Sequence, residues 1–206
     1  MGEHDVKFTA DPVNKISTNE KYIVTEANPG KLTITPLELT VTGKSDTVKY
    51  TGSLQKLETY TVAPALPTGH TLSGLTSLAQ GTTVGSYDGA FTGTAKIKDK
   101  DGNDVTSNYE ITTEHGKLTI VADDAEVIVK ITGKTRTETY NGSEQTVTGY
   151  TTDIGSKPIT VALKDGHKAE AKGTNVGKYM MGLTKDDFTV TSKNYRNITV
   201  KVNDGW

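Results

Sequence analysis

The chain has 206 residues, of which 33 % are hydrophobic and 6 % aromatic, and its formal net charge is −2. So low a content of hydrophobic and aromatic residues favours small, thin modules over one large core. The net charge excludes the basic surface that nucleic-acid binding needs. Cysteine is absent, which excludes disulfides, thiol catalysis and cysteine-ligated zinc.

Short runs rich in Thr, Val, Ile and Tyr, separated by glycines, predict an all-β protein. We favour tandem small antiparallel β-sandwich modules of the immunoglobulin-like kind. The alternative is a mostly-β, grasp-like module with one short helix, because residues 54–60 and 75–78 show brief helical spacing. No apolar run is long enough to span a membrane, so we expect no membrane insertion.

The first segment, residues 1–35, carries three candidate strands, VKFTA, KYIVTE and GKLTI. It contains only the features found at the end of a module, so we predict that it is the C-terminal part of a preceding repeat. The start, MGEHDVKF, lacks the pattern of a signal peptide, so we expect any export signal to lie upstream.

The second segment, residues 36–121, contains every feature of one complete module. It opens with LELTV at residues 37–41, where apolar and polar residues alternate as in a half-buried strand. Asp101-Gly102-Asn103 predicts a chain reversal, because Asp-Gly tolerates the positive φ of a tight turn. The segment closes with GKLTI at residues 116–120.

The third segment, residues 122–206, follows the same plan from EVIVKITG onward. It stops at Gly205-Trp206, where the other copies continue with Leu-Thr-Ile. It is therefore predicted to be a second β repeat that lacks its last strand. An exposed strand edge tends to pair, so we expect it either to pair with another segment or to fray.

Four short anchors recur in the same order, at offsets of 86 to 92 residues, which indicates an internal repeat. They are residues 30–34 with 116–120, 50–53 with 140–143, 84–87 with 176–179, and 108–109 with 194–195.

The order Tyr-x-Gly-Ser, Val-Gly-x-Tyr, Asp-Gly-Asn-Asp-Val-Thr-x-Asn-Tyr-x-Ile and Gly-x-Leu-Thr-Ile resembles the repeats of Gram-positive bacterial surface adhesins, with MBG and YDG-type repeats as the nearest families. The second segment matches along its whole length, whereas the third has Lys185-Asp186-Asp187 in place of the Asp-Gly-Asn-Asp turn. The resemblance implies extracellular stalk modules on the bacterial cell wall. It implies neighbouring repeats as partners, and no known binding residue.

Two acidic groups could hold calcium, which prefers oxygen ligands. The first consists of Asp99, Asp101, Asn103 and Asp104. The second, at the joint between segments, consists of Asp123, Asp124 and Glu126. Counted from Asp99, Gly102 is the fourth residue of the loop, whereas an EF-type calcium loop needs glycine at its sixth position. A plain turn also explains these residues. We expect no other cofactor.

No nucleophile elbow, phosphate loop or His-Glu-x-x-His spacing is present, so we predict no catalytic residue and no enzyme. Six tyrosines are predicted to be core rings, with stacking on sugars as the alternative: Tyr50, Tyr87, Tyr109, Tyr140, Tyr179 and Tyr195. Trp206 is predicted to face solvent.

Three functions are compatible with these features. The first is a non-catalytic spacer that holds a distal adhesive domain away from the cell wall. The second is an adhesive module that binds host mucin, glycan or matrix protein, which would show exposed Tyr or Trp side chains clustered on one face. The third is an accessory domain of a surface glycosidase.

Overall fold

The computed structural model describes residues 3–5 and 30–206. The predicted strands VKFTA and KYIVTE lie outside these residues. The described part is almost entirely β, which confirms the all-β prediction. Its two helices are single 3-10 turns, at Thr106–Asn108 and Lys185–Asp187. Neither segment with brief helical spacing is a helix, because both contain strand residues.

The strands up to residue 121 are β1 (Glu3–Asp5), β2 (Lys31–Thr33), β3 (Leu37–Gly43), β4 (Asp46–Lys49), β5 (Gln55–Leu57), β6 (Tyr60–Ala63), β7 (Thr71–Gly81), β8 (Gly85–Lys98), β9 (Tyr109–Glu114) and β10 (Gly116–Val121). The strands after it are β11 (Val127–Gly133), β12 (Gln145–Thr148), β13 (Tyr150–Asp153), β14 (Thr160–Leu163), β15 (Glu170–Gly173), β16 (Phe188–Thr191) and β17 (Ile198–Asn203).

The chain forms two compact units. The first comprises Met1–Lys44, Glu58–Leu78 and Gly89–Gly116, of which the structure describes the ranges given above. The second comprises Ser45–Leu57, Ala79–Asp88 and Lys117–Trp206. The segment boundaries at 35/36 and 121/122 follow the sequence repeat and stay predictions.

In the first unit, β3 is the central strand of a sheet with the order β6-β3-β9. It runs antiparallel to β6 and parallel to β9, with Leu37 opposite Tyr109. Leu39 and Val41 are 1 % and 0 % exposed. The alternation predicted for this strand is therefore confirmed at these two positions, whereas Leu37 at the strand start is 38 % exposed.

In the second unit, β11 is the central strand of a sheet with the order β13-β11-β17. It is antiparallel to β13 and parallel to β17, with Val127 opposite Ile198. This is the pairing scheme of the β6-β3-β9 sheet. In the two sheets, Asn197-Ile198 and Asn108-Tyr109 occupy equivalent positions. The residues that match Asn108-Tyr109 in sequence, Asn194-Tyr195, therefore lie three positions before the structural equivalents.

The predicted modules are antiparallel, but the described strand pairs are not all antiparallel. Among the strands that the structure describes, β3 pairs in parallel with β9, β4 with β10, and β11 with β17. Hairpin signals identify strands that are neighbours in sequence, which pair antiparallel. They carry no information about pairing between the first and last strands of a segment, where the chain returns in the same direction.

The second unit contains two apolar clusters. One is built on β11, whose alternate residues Val127, Val129 and Ile131 are buried against Leu183 and Phe188. The other consists of Tyr50, Ala79, Leu118 and Ile120. β10 supplies the last two residues and lies between β4 and β8 in a sheet with the order β4-β10-β8-β7-β5.

Candidate functional site

The loop after β8 carries the first predicted calcium group. The carboxylates of Asp99 and Asp104 bind the loop's own backbone, whereas that of Asp101 binds Nζ of Lys100. Asp99 Oδ1 accepts hydrogen bonds from the N–H groups of Asp101 and Asn103, both at 2.9 Å. Asp104 Oδ1 accepts hydrogen bonds from the N–H and hydroxyl groups of Thr106 at 3.0 and 2.6 Å. The predicted chain reversal is confirmed, with Gly102 at a φ of 85°.

These hydrogen bonds favour the ionised carboxylates. The side chain of Asn103 is the main cause that lowers the pKa of Asp99, and the hydroxyl of Thr106 lowers the pKa of Asp104. Within residues 30–206, no group of three or more Asp, Glu or His side chains is arranged to hold a metal ion. Internal hydrogen bonds account for the shape of this loop. Calcium binding at the loop stays a prediction.

The second predicted calcium group, at the joint after β10, is engaged with cationic side chains and a hydroxyl. Asp124 Oδ2 lies 2.9 Å from Lys49 Nζ, and Asp124 Oδ1 lies 3.8 Å from Arg196 Nη1. The hydrogen bond between Lys49 and Asp124 raises the pKa of the lysine and lowers that of the carboxylate. Glu126 Oε1 accepts a hydrogen bond from the Thr199 hydroxyl at 2.6 Å.

A buried contact beside this joint centres on Asn194, which is 5 % exposed. Its Oδ1 accepts a hydrogen bond from the N–H of Val84 at 3.1 Å, and its backbone carbonyl accepts one from the N–H of Asp123 at 2.9 Å. The rings of Tyr195 and Tyr50 meet edge to face, with centroids 5.5 Å apart. The only sequence signal at this contact is the match of Asn194-Tyr195 to Asn108-Tyr109, which does not indicate a partner in residues 50–84.

We expect Asn194→Ala to destabilise the protein by about 1 kcal/mol, because the part-buried N–H of Val84 loses its acceptor. Chemical denaturation of the whole chain measures this. Asn197→Ala is the matched control, because Asn197 lies three positions on and is exposed. Equal midpoints for both variants would contradict a stabilising role for the Asn194 contact.

The 3-10 turn before β16 is closed by Asp187. Its Oδ2 accepts hydrogen bonds from the N–H and hydroxyl of Thr184 at 2.6 and 2.9 Å, and its Oδ1 lies 2.6 Å from Nδ1 of His167. These partners lower the pKa of Asp187, with the backbone N–H of Thr184 as the largest cause. The residues that replace the Asp-Gly-Asn-Asp turn thus form a capped 3-10 turn.

We expect stability to fall as pH drops below about 4, partly through Asp187. A carboxylate with a lowered pKa in the folded state contributes stability above its unfolded pKa, and that contribution is lost as pH falls through the folded pKa. Asp187→Asn should therefore flatten the acid side of a plot of unfolding midpoint against pH. Asp186→Asn, which removes the adjacent carboxylate, is the control. An acid slope unchanged in Asp187→Asn would refute this assignment.

The predicted core tyrosines differ in exposure. Tyr50 is 8 % exposed, which confirms its place in the core, whereas its sequence counterpart Tyr140 is 61 % exposed, so that prediction is wrong. Tyr179 is 39 % exposed and Trp206 is 36 % exposed. The three exposed rings line one groove of about 300 Å³, which also includes Val147 and the residues around it.

This groove has polar and aromatic walls. Arg136, Glu138 and Lys178 line it, and Nζ of Lys178 lies 4.8 Å from the centroid of the Trp206 ring. No motif in the sequence indicated the residues that line this groove. The groove therefore combines apolar ring surface with charged side chains.

None of the helices in the described residues is long and apolar enough to cross a membrane. Comparisons of the chain with protein-family models, with curated proteins and with solved structures find no match.

Proposed function

We propose that this chain consists of tandem β repeats, 36–121 and 122–206 with the end of a third at 1–35, that act as a non-catalytic spacer in a bacterial surface adhesin. Such repeats would lie outside the cell, on the wall. The resemblance to MBG and YDG-type repeats motivates the setting. The matching pairing schemes of β6-β3-β9 and β13-β11-β17 support the repeat organisation.

The observation that carries the spacer proposal is the buried contact across the boundary at 121/122. Asn194 and Tyr195, from one proposed repeat, bind Val84 and pack on Tyr50, from the other. The backbone also passes from β10 to β11 through only five residues, 122–126. A short connector with a buried contact beside it limits rotation between repeats, as a stalk requires.

A second candidate function is glycan binding at the groove. The clustering of Tyr140, Tyr179 and Trp206 on one face supports it. Aromatic side chains provide apolar faces on which sugar rings can stack. We rank glycan binding below the spacer function, because Tyr50, the sequence counterpart of Tyr140, belongs to a buried cluster with Leu118 and Ile120. Tyr140 thus has a structural counterpart that involves no ligand.

A mucin and glycan array probed with the full chain separates the two functions. The spacer proposal expects no saturable binding. Saturable binding to one glycan class that is lost in Tyr140→Ala would overturn it in favour of the groove. Tyr60→Ala is the control for loss of a tyrosine, because Tyr60 lies outside the groove, on β6.

A further inference from the structure

In the second unit, β11 and β17 lie side by side and run in the same direction. Six residues of each strand are paired, from Val127 opposite Ile198 to Thr132 opposite Asn203. The N-terminal end of β11 therefore lies beside the N-terminal end of β17. A force that enters the chain before β11 and leaves it after β17 pulls the two strands in opposite directions along their lengths, so it shears the pair.

The direction of a load decides how many hydrogen bonds resist it at once. In a parallel pair the backbone hydrogen bonds are evenly spaced along both strands. Shear loads all of these bonds together, so several must break before either strand slides. A force that separates two neighbouring strand ends loads only the last bond, and the others then break one after another. Forced unfolding follows the rate of crossing this barrier rather than the equilibrium stability.

Backbone pairing between these two parts of the chain begins before the strands themselves. Asp123 forms a parallel bridge with Tyr195. The N–H of Arg196 donates a hydrogen bond to the Asp123 carbonyl at 3.0 Å, and the N–H of Val127 donates one to the Asn197 carbonyl at 2.9 Å. The connector that leads into β11 is therefore already held to the segment that leads into β17, at the place where the force enters.

Side chains on one face of this pair keep water away from its hydrogen bonds. Val129 and Ile131 of β11 are each 0 % exposed. Val200 and Val202 of β17 are partly buried against the same apolar cluster. A backbone group that leaves the ladder on this side finds no water to replace its partner, and an unsatisfied buried group is costly. Burial therefore raises the barrier to sliding.

The first unit contains the same arrangement. β3 and β9 pair in parallel over six positions, from Leu37 opposite Tyr109 to Thr42 opposite Glu114. In both sheets the earlier strand is central, the later strand lies at one edge, and an antiparallel strand lies at the other edge. A force that enters before β3 and leaves after β9 therefore shears this pair as well.

We propose that the parallel pairs β3–β9 and β11–β17 are mechanical clamps, which allow the chain to bear tension along its length without unfolding. This inference rests on the spacer proposal, in which the chain links a distal adhesive domain to the cell wall. It adds a load-bearing role, because a cell held at a surface by such a link pulls on every repeat along the chain direction.

Single-molecule force spectroscopy of the full chain tests the clamp in the second unit. The chain contains no cysteine of its own, so two introduced cysteines define the points to which DNA handles are attached. Ala125→Cys with Asn203→Cys loads β11 and β17 in shear. Ala125→Cys with Asn197→Cys is the matched control, because it pulls on the same two strands from their shared N-terminal end and peels them apart. All three residues are exposed.

We expect the rupture force to be several-fold higher for the shear pair of handles than for the peeling pair. Thr35→Cys with Thr113→Cys and Thr35→Cys with Asn108→Cys give the same comparison for β3–β9, again at exposed residues. Handles at Thr35→Cys and Asn203→Cys load the chain along its own direction, and this variant should rupture at the shear force. Thermal unfolding midpoints equal to that of the parent chain check that each variant keeps the fold.

Equal rupture forces in shear and in peeling would overturn the proposal, and a difference in only one unit would overturn it for the other. Rupture of the Thr35 and Asn203 variant at the peeling force would overturn the load-bearing role. The glycan array tests the spacer proposal separately, since saturable glycan binding by a chain that resists shear would overturn the spacer alone.

Discussion

Gly116→Ala is expected to destabilise the protein by about 3 kcal/mol, in the upper range of overpacking effects. A Cβ at residue 116 would lie closer than 3.0 Å to backbone atoms of Gly43 and Lys44. Backbone atoms of a paired strand cannot rotate away as the end of a side chain can. The start of β10 would have to separate from the end of β3, and the pairing beyond it would weaken.

Thermal unfolding of the full chain measures this change, and we expect a drop of roughly 6–12 °C. Gly30→Ala is the matched control, because Gly30 begins the same GKLTI sequence but has no heavy atom within 4 Å of a Cβ at that position. We expect that variant to melt within about 1 °C of the parent chain. A Gly116→Ala variant that melts like Gly30→Ala would show that the two backbones have room to separate.

Ile131→Ala is expected to cost about 3–4 kcal/mol. Ile131 is 0 % exposed at the centre of β11 and packs in a cluster with Val129, Leu183 and Phe188. β11 is paired on both edges, by β13 and β17, so its backbone cannot move to close the cavity. The lost contacts and the remaining cavity therefore both add to the cost.

Ile128→Ala is the control within the same strand. Ile128 is 44 % exposed because it points to the opposite face from Val127 and Val129. We expect a cost of about 1 kcal/mol or less for this variant. Urea denaturation of both variants gives the comparison. A cost at Ile128 equal to that at Ile131 would mean that both faces of the strand are covered in solution.

The strand content and several strand positions could be predicted from residue types alone. Alternation in LELTV placed Leu39 and Val41 in the core, and Asp101-Gly102-Asn103 marked a true reversal. These are local properties, because a side chain alternates between the two faces of a strand and glycine tolerates positive φ wherever they occur. The recurrence of short motifs is likewise visible without reference to structure.

Only the tertiary structure determined which strands pair in parallel, and which of two identical residues is buried and which is exposed. Leu32 and Leu118 occupy the same position in GKLTI, yet one is 54 % exposed and the other 1 % exposed. Tyr50 and Tyr140 share the same motif, but only Tyr50 is in a cluster with Leu118 and Ile120. Burial depends on which strand lies alongside, and strands distant in sequence supply it. The sequence by itself therefore determined the all-β class and the repeated motifs, whereas the tertiary structure decided which copies form core and which form the groove.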